Sequence, residues 1–401
     1  MTAAHPTAKP RFDYLIIVAF VMAIGAFGTD MMLPGISAIS RDFGLESSAD
    51  AHQMVTLFFL GMAAGQIFAG PLSDMLGRKT VILWGYGIFS VATVATILTN
   101  DWTVMLVARV VQGLAAAAPR VVVIAMVRDE YGGRSMAQIM SVVGAVFIIV
   151  PVFAPLIGQA FIFVGGWRAS FLGLLLLALM TAVWFGVRLP ETLPKGARTP
   201  FSFAALWMGL REVLKSRIAV GYTVAMGFIF GLLVAYLGTA QQVFETAYGI
   251  TDMFAVYFGL GAISVGVASV INARLVVRVG MRRLSAQAAA FMAVVGAAFA
   301  AWVLIVPVPA FWLFMIWLII SFFPIGVLFA NLNALAMEPL GHIAGLGAAF
   351  VGAISTFLSL PLAAVVSAQF DGTVRPIVIG FAVFSVTAWA LIIWTNRVDP
   401  P

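Results

Sequence analysis

The sequence predicts an all-helical (all-α) membrane protein with twelve transmembrane helices in two six-helix bundles. Of its 401 residues, 63% are hydrophobic and only 9% are charged, whereas about 25% of residues are charged in a soluble domain. The mean hydropathy of +1.08 also indicates a membrane protein. So few charged side chains cannot cover a water-soluble surface of this size. The apolar residues form long runs rather than short alternating strands, which excludes an outer-membrane barrel.

Twelve apolar stretches are long enough to cross a bilayer, which takes roughly 20 residues as a helix. They lie near residues 13–36, 52–72, 80–99, 102–127, 137–164, 167–188, 218–244, 252–277, 284–306, 310–336, 343–369 and 375–396. One long polar connection divides them into an N-terminal bundle over 1–189, a linker over 190–217 and a C-terminal bundle over 218–401. Within the linker, the segment from Phe203 to Leu214 is amphipathic and predicts a short helix on the membrane surface.

The loop charges predict the orientation of the chain in the membrane. With the N-terminus in the cytoplasm, seventeen Lys and Arg residues fall in cytoplasmic segments, the linker included, and three fall in outer loops. The positive-inside rule therefore places both termini in the cytoplasm. The net charge of +6 follows from this bias and does not indicate nucleic-acid binding. The chain has no cysteine, which excludes disulfides and thiolate metal sites, and its scattered histidines predict no other metal site.

A short charged loop occurs at equivalent places in the two halves. After the second span the chain reads GPLSDMLGRK over residues 70–79, and after the eighth it reads ARLVVRVGMR over 273–282. Gly77 and Gly280 coincide at an offset of 203 residues, which indicates two related halves. The first copy resembles the loop signature of the major facilitator superfamily.

Three further stretches resemble motifs of the twelve-span drug–proton antiporter branch of that superfamily, the bicyclomycin and chloramphenicol resistance type. They are TDMMLP at 29–34 in the first span, RVVQG at 109–113 in the fourth and PVFAPLIG at 151–158 in the fifth. The resemblance implies the major facilitator fold, with two pseudo-symmetric bundles, and efflux of small lipophilic or neutral, chloramphenicol-like drugs in exchange for protons. A proton-coupled exporter of one metabolite, such as an amino acid, a sugar or a siderophore, is the alternative.

Nothing in the sequence indicates an enzyme or a bound cofactor. No catalytic constellation occurs, and without a phosphate-binding Gly-Lys loop ATP is not expected as the energy source. Uphill transport is then expected to use a proton gradient. Besides protons, the expected partners are a small-molecule drug or metabolite and the lipid bilayer. The protein is expected to be a monomer, because one chain contains a whole cavity.

Three charged residues fall inside predicted spans, where a charge costs about 2.5–3.5 kcal/mol and calls for a partner or a function. Asp30 lies about 6–9 Å and Arg109 about 10 Å from the outer ends of their spans, at about 1.5 Å per residue. They form either a structural ion pair or a proton-coupling pair, which is the role that the resemblance implies. Arg120 shares a helix face with Arg109 and either reaches the headgroups or adds a positive charge to the cavity.

The charged loop is expected to gate the cytoplasmic side. Asp74 is expected either to cap the next helix or to pair with a basic group across the cytoplasmic seam. The gating residues are Gly70, Asp74, Gly77, Arg78 and Lys79. The fifth span is expected to be a kinked antiporter helix that packs against span eight. It is marked by Pro151, Pro155 and Gly158.

Polar and aromatic residues within the spans are expected to line a substrate cavity. They are Gln112, Tyr236, Tyr257, Asn272, Asn331 and Asn333, together with Arg120. Asn331 and Asn333 point about 200° apart on one helix, so only one of them is expected to face the cavity. Gly61 and Gly65 in the second span predict a seam of small residues, where a neighbouring helix approaches closely.

Overall fold

The computed structural model describes residues 11–46, 48–131 and 133–398, and within these ranges every regular element is a helix. The α-helices are α1 (Phe12–Asp30), α2 (Ile36–Asp42), α3 (Ser48–Ala51), α4 (Gln53–Leu76), α5 (Arg78–Leu98), α6 (Trp102–Glu130), α7 (Gly133–Arg188), α8 (Phe203–Lys215), α9 (Arg217–Gln242), α10 (Phe254–Val279), α11 (Met281–Ile305), α12 (Phe311–Met337), α13 (Ala344–Ala368) and α14 (Arg375–Val398). The predicted all-helical membrane class is confirmed, and the amphipathic linker segment is helix α8.

In the described part of the chain, ten continuous helical segments are long and apolar enough to cross a membrane. Two of them each contain two helices that are predicted as separate spans. α7 contains two helices that meet at Gly165 and Gly166, where the backbone angles are not helical. The segment Phe311–Ala368 runs through both α12 and α13. The segments therefore agree with the twelve predicted spans, and the expected break between the fifth and sixth spans lies at the glycine kink.

The chain divides into two compact units. The first contains α1 and the residues Leu57–Leu206, and the second contains Leu33–Thr56 and the chain from Trp207 onward. The first unit thus holds α5, α6 and α7, while the second holds α9 to α14. The segment with α2 and α3 belongs to the second unit, although it follows α1 directly. The expected bundle boundaries at 189 and 217 remain a prediction.

Glycines allow close helix packing within the first unit. A Cβ atom on Gly61 or Gly65 would overlap the backbone of α6, and one on Gly113 would overlap the backbone of α4. The seam predicted from Gly61 and Gly65 therefore joins α4 to α6, and Gly113 completes it from the opposite side. Gly158 of α7 packs in the same way against the backbone of Met31, at the end of α1.

The repeated loop has the same backbone conformation in both halves. Gly77 precedes α5 with φ 103° and ψ 149°, and Gly280 precedes α11 with φ 85° and ψ 147°. Both values lie where only glycine is unstrained, which explains why each copy of the loop has glycine at this position. The internal repeat inferred from the sequence thus corresponds to a repeated structural turn.

Candidate functional site

Arg109 is completely buried in α6, with 0% of its surface exposed. Its guanidinium donates hydrogen bonds to the Gly28 carbonyl oxygen at 3.0 Å and to Gln112 Oε1 at 2.7 Å. The cation also lies 4.6 Å from the centroid of the Phe58 ring, within the range of a cation–π interaction. Gly28 is in the last turn of α1, whose final carbonyl groups lack partners within the helix. Arg109 therefore places its positive charge at the negative end of the α1 dipole.

Two glycines make this arrangement possible. A Cβ atom on Gly28 would lie 3.1 Å from the Phe58 ring, and one on Gly113 would overlap the Phe58 carbonyl group. The absence of these two side chains lets α4 approach both α1 and α6. The Phe58 ring can then lie between the end of α1 and the guanidinium of Arg109. Gly28 and Gly113 thus leave the room that the Phe58 ring occupies beside Arg109.

Asp30 is the last residue of α1 and is only 4% exposed. Its Oδ1 accepts a hydrogen bond from the Thr29 hydroxyl at 2.8 Å. The same hydroxyl lies 2.9 Å from the Ala26 carbonyl oxygen, and with one hydrogen it donates to one of the two acceptors at a time. Among the described residues, Asp30 and Arg109 do not form the direct ion pair suggested by the sequence. They contact different groups of the same helix turn.

Gln112 extends the network from α6 to α5. Its Nε2 donates to Thr93 Oγ1 at 2.8 Å, and the Thr93 hydroxyl donates to the Phe89 carbonyl oxygen at 2.7 Å. Gln112 also accepts from Arg109, so both ends of its amide are bonded. In this structure Gln112 holds Arg109 in position, and its expected role in the substrate cavity remains a prediction.

Arg120 is partly buried on the same helix as Arg109. Its Nη1 lies 3.6 Å from the Met62 sulfur on α4. Met62 follows Phe58 by one helix turn, so Arg120 and Arg109 contact the same face of α4. This agrees with the shared helix face inferred from their spacing. Whether Arg120 contacts substrate remains a prediction.

The three asparagines lie in the second unit in two different environments. Asn272 of α10 and Asn331 of α12 are buried, and each donates through Nδ2 to the other's Oδ1 at 3.0 Å. Asn333 is exposed, so it and Asn331 do lie on different sides of α12. The reciprocal amide pair joins α10 to α12, and the expected role of these asparagines in the substrate cavity remains a prediction.

The two candidate tyrosines lie in an aromatic cluster of the second unit. Tyr236 is buried, stacks on Phe258 with ring centroids 5.3 Å apart and meets Phe322 edge-on at 4.8 Å. Its hydroxyl has no hydrogen-bond partner among the described residues. Tyr257 is half-buried and contacts Phe311 edge-on at 4.8 Å. Both tyrosines lie among other aromatic rings, and their contact with substrate remains a prediction.

The charged loop between α4 and α5 is held by residues that the sequence did not single out for this role. Glu191 accepts from the backbone N–H groups of Arg78 at 2.8 Å and Lys79 at 3.2 Å. Glu191, rather than Asp74, therefore caps α5. A Cβ atom on Gly77 would overlap the Glu191 carboxylate, so the glycine leaves room for this cap. The local sequence signal that could have pointed to Glu191 is the Pro190-Glu191-Thr192 sequence after the sixth span.

Arg78 is buried at the centre of the same loop. Its guanidinium pairs with Asp74 and donates to Asp129 Oδ2 at 3.1 Å and to Ser73 Oγ at 2.6 Å. Ser73 in turn donates to the Gly70 carbonyl oxygen at 2.7 Å. Arg78 thus links the end of α4 to the end of α6 at Asp129. Asp74 pairs locally with Arg78, four residues further along the chain. Its expected pairing across the cytoplasmic seam, and the gating role of the loop, remain predictions.

Pro151 and Pro155 lie inside α7, and Gly158 follows on the same helix. Gly158 packs on Met31 at the end of α1, next to Asp30. In the first unit the antiporter helix therefore supports the end of α1. Its expected packing against span eight remains a prediction.

A further polar cluster lies in the second unit and was not anticipated. Ser37 of α2 donates to Glu245 Oε2 at 2.6 Å. Gln241 of α9 donates through Nε2 to the Pro34 carbonyl oxygen at 3.2 Å and to Ser37 Oγ at 3.3 Å. These bonds hold α2 on the end of α9. The residues that these bonds join are more than two hundred positions apart in sequence, so no local sequence pattern indicates the cluster.

A chain of apolar, membrane-length helices with a buried carboxylate, a buried arginine and a repeated charged loop has the construction of a secondary transporter. The family model for the Major Facilitator Superfamily matches residues 16–360. The protein belongs to this superfamily, and it is a multi-pass membrane transporter rather than an enzyme.

Comparison with known proteins agrees with the drug–proton antiporter branch. The chain is 28% identical over 371 residues to the "Bicyclomycin resistance protein homolog" of Haemophilus influenzae, covering 92% of each protein. It is 25% identical over 368 residues to "Multidrug resistance protein D" of Escherichia coli, covering 88% of this chain and 87% of the relative. The xylose transporter XylE from E. coli, in a partially occluded inward-open conformation, has the same fold, with a TM-score of 0.72 at 12% identity over 97% of this chain and 99% of that one.

Proposed function

We propose that this protein is a proton-driven multidrug efflux transporter of the bacterial inner membrane, with both termini in the cytoplasm. It exports small lipophilic or neutral, chloramphenicol-like drugs in exchange for protons by alternating access. The buried Asp30 carboxylate at the end of α1 carries this proposal, because a membrane carboxylate is expensive unless it has a function. The drug-resistance names of the two relatives support the substrate class.

Thr29 gives Asp30 a means of exchanging a proton without leaving a polar atom unpaired. When Asp30 is ionised, the Thr29 hydroxyl donates to the carboxylate. When Asp30 is protonated, its own O–H donates to Thr29 Oγ1, and the Thr29 hydroxyl donates to the Ala26 carbonyl oxygen. The distances of 2.8 Å and 2.9 Å fit both arrangements. Both protonation states are therefore hydrogen-bonded in the same geometry.

Arg109 acts on this exchange through the helix rather than through a salt bridge. The α1 dipole opposes a negative charge at its C-terminal end, and the guanidinium on the Gly28 carbonyl offsets that potential. Loss of charge at Asp30 changes the electrostatic balance at this helix end. The chain enters the second unit at Leu33, three residues further on. A proton at Asp30 thus acts at the segment that joins the two units.

The test is proton release from purified protein in detergent at mildly alkaline pH, with chloramphenicol added first. Native protein should release protons when the drug binds, and the Asp30→Asn variant should bind without release. The matched control is Asp13→Asn, which changes the carboxylate at the other end of α1 and should release normally. Normal release or normal uphill efflux by Asp30→Asn would contradict the proposal.

A proton-coupled exporter of a single metabolite is the second candidate. The observation in its favour is Arg120, a cationic side chain beside Met62 on the α4 face that also meets Arg109. A cation there favours anionic or neutral compounds over cationic drugs. A competition panel of drugs against amino acids, sugars and siderophores distinguishes the two, because only one class should displace a bound reporter.

A further inference from the structure

Helix α8 (Phe203–Lys215) has one face fixed to the protein and a second apolar stripe left uncovered. On the fixed face, Gly209 and Val213 are buried. A Cβ atom on Gly209 would lie 3.1 Å from Leu346 and 3.3 Å from Phe350, so α8 lies directly on the start of α13. The uncovered stripe contains Phe203, Trp207 and Leu214, which are 73%, 67% and 58% exposed. Exposure of such large hydrophobic side chains to water is unfavourable.

The helical positions of these residues separate the stripe from the fixed face. At about 100° per residue, Phe203, Trp207 and Leu214 lie within about 40° of one another. Arg211 and Lys215 flank the stripe, about 40° and 80° beyond Trp207 on the side away from the fixed face. Both basic residues are exposed. An aromatic and aliphatic stripe bordered by basic side chains is the pattern of a helix lying in a membrane interface.

The one acidic residue of α8 points away from this stripe. Glu212 lies about 140° from Trp207 around the helix. Its carboxylate is 3.9 Å from Lys215 Nζ and 3.8 Å from His342 Nε2, at the other side of the helix. Of the two basic residues beside the stripe, Lys215 therefore has Glu212 as a neighbour, whereas Arg211 has no ion pair among the described residues. The stripe side of the helix keeps a net positive charge. That distribution is complementary to a negatively charged lipid surface.

We infer that α8 binds the anionic phospholipids of the adjacent leaflet. Phe203, Trp207 and Leu214 insert at the boundary between headgroups and acyl chains, while Arg211 and Lys215 bind the phosphate groups. Aromatic rings favour this depth, and the long basic side chains reach back to the headgroups. Because α8 rests on α13 through Gly209, the lipid surface also fixes that end of the second unit.

The test uses the absence of cysteine in the chain, since a single introduced cysteine gives one labelling site in the full-length protein. Ala204→Cys, which is exposed beside the stripe and leaves all five lipid-facing residues intact, carries a nitroxide label. Power-saturation EPR measures its accessibility to oxygen and to a water-soluble nickel chelate in nanodiscs. The label should become more accessible to oxygen and less accessible to nickel in discs with phosphatidylglycerol than in discs of phosphatidylcholine alone.

Arg211→Gln with Lys215→Gln should abolish this difference, because each basic residue contributes about five-fold to binding an anionic surface, about thirty-fold for both. The matched control, Arg274→Gln with Arg278→Gln, removes two exposed arginines from α10 and should retain it. Inorganic phosphate added to phosphatidylcholine discs should have no effect, which distinguishes a lipid site from a site for free phosphate. Equal label accessibility in the two lipids, or equal loss in both double variants, would overturn the inference.

Discussion

The reciprocal bonding of Asn272 and Asn331 predicts a measurable coupling between the two residues. Replacing either one by Leu leaves the other amide buried with its donor and acceptor unpaired, at a cost of about 1–3 kcal/mol. Replacing both removes the polar atoms together and leaves two apolar side chains of similar size at the contact of α10 with α12. The double variant should therefore be destabilised by less than the sum of the two single variants.

The expected coupling energy is about 1–2 kcal/mol. Two hydrogen bonds of 3.0 Å join the pair, and double-mutant cycles in membrane proteins give about 0.6 kcal/mol per interaction, with a maximum near 1.7. Thermal unfolding of all four proteins of the cycle, in one detergent and followed by intrinsic tryptophan fluorescence, measures this energy. Strictly additive destabilisation would refute the assignment of a structural pair.

A transport assay on the same four proteins separates packing from substrate binding. If the pair is structural, efflux should recover in the double variant along with stability. If the asparagines bind substrate, the double variant should be stable yet inactive, because both polar groups are absent. The latter result would restore the cavity role that the sequence suggested for Asn272 and Asn331.

Two further predictions concern the ends of helices. Glu191→Ala removes the acceptor for the N–H groups of Arg78 and Lys79 and should lower the free energy of unfolding by about 1–2 kcal/mol. Glu191→Gln should lower it less, because the amide oxygen still accepts. Equal unfolding temperatures for both variants and the native protein would contradict the cap. His52 is buried and neither ring nitrogen has a partner among the described residues, and burial lowers its pKa from 6.5 to about 3. The folded state therefore binds fewer protons, so stability is complete above about pH 6.5 and falls as the pH drops, by about 2 kcal/mol at pH 5. His52→Leu should flatten the unfolding temperature between pH 7.5 and 5, and parallel profiles would contradict this.

The membrane helices could be predicted because each one must by itself be long and apolar enough to cross the bilayer, and both properties are visible in its own sequence. The break at Gly165 and Gly166 was also visible, since two apolar stretches meet there at a pair of glycines. The assignment of Leu33–Thr56 to the second unit was not visible. Hydropathy describes one span at a time, and this segment is placed by side chains such as Ser37, whose partner Glu245 comes from the other half of the sequence.

The candidate site was predicted in its residues but not in its bonds. The energetic cost of membrane charge identified Asp30 and Arg109, and both are buried as expected. Their opposite charges suggested a salt bridge, yet Arg109 donates to a backbone carbonyl and to the Gln112 amide. Sequence carries no information on which carbonyl oxygens a helix end leaves unpaired in three dimensions, and it cannot show that Gly28 leaves room for the Phe58 ring. For the same reason Glu191 was missed as the cap of α5.

The indirect link between Arg109 and Asp30 has a consequence for how a proton can act. A salt bridge at this depth would hold both charges tightly, and breaking it would leave two unpaired ions in a medium of low dielectric constant. In the proposed exchange, Arg109 keeps its bonds to Gly28 and Gln112 in both states of Asp30, while the Thr29 hydroxyl donates to the Asp30 carboxylate in one state and to the Ala26 carbonyl oxygen in the other. Neither protonation state leaves a buried ion or hydroxyl without a partner. The two states are therefore expected to lie close in free energy, as the proposed gain and loss of a proton at Asp30 in each transport cycle requires.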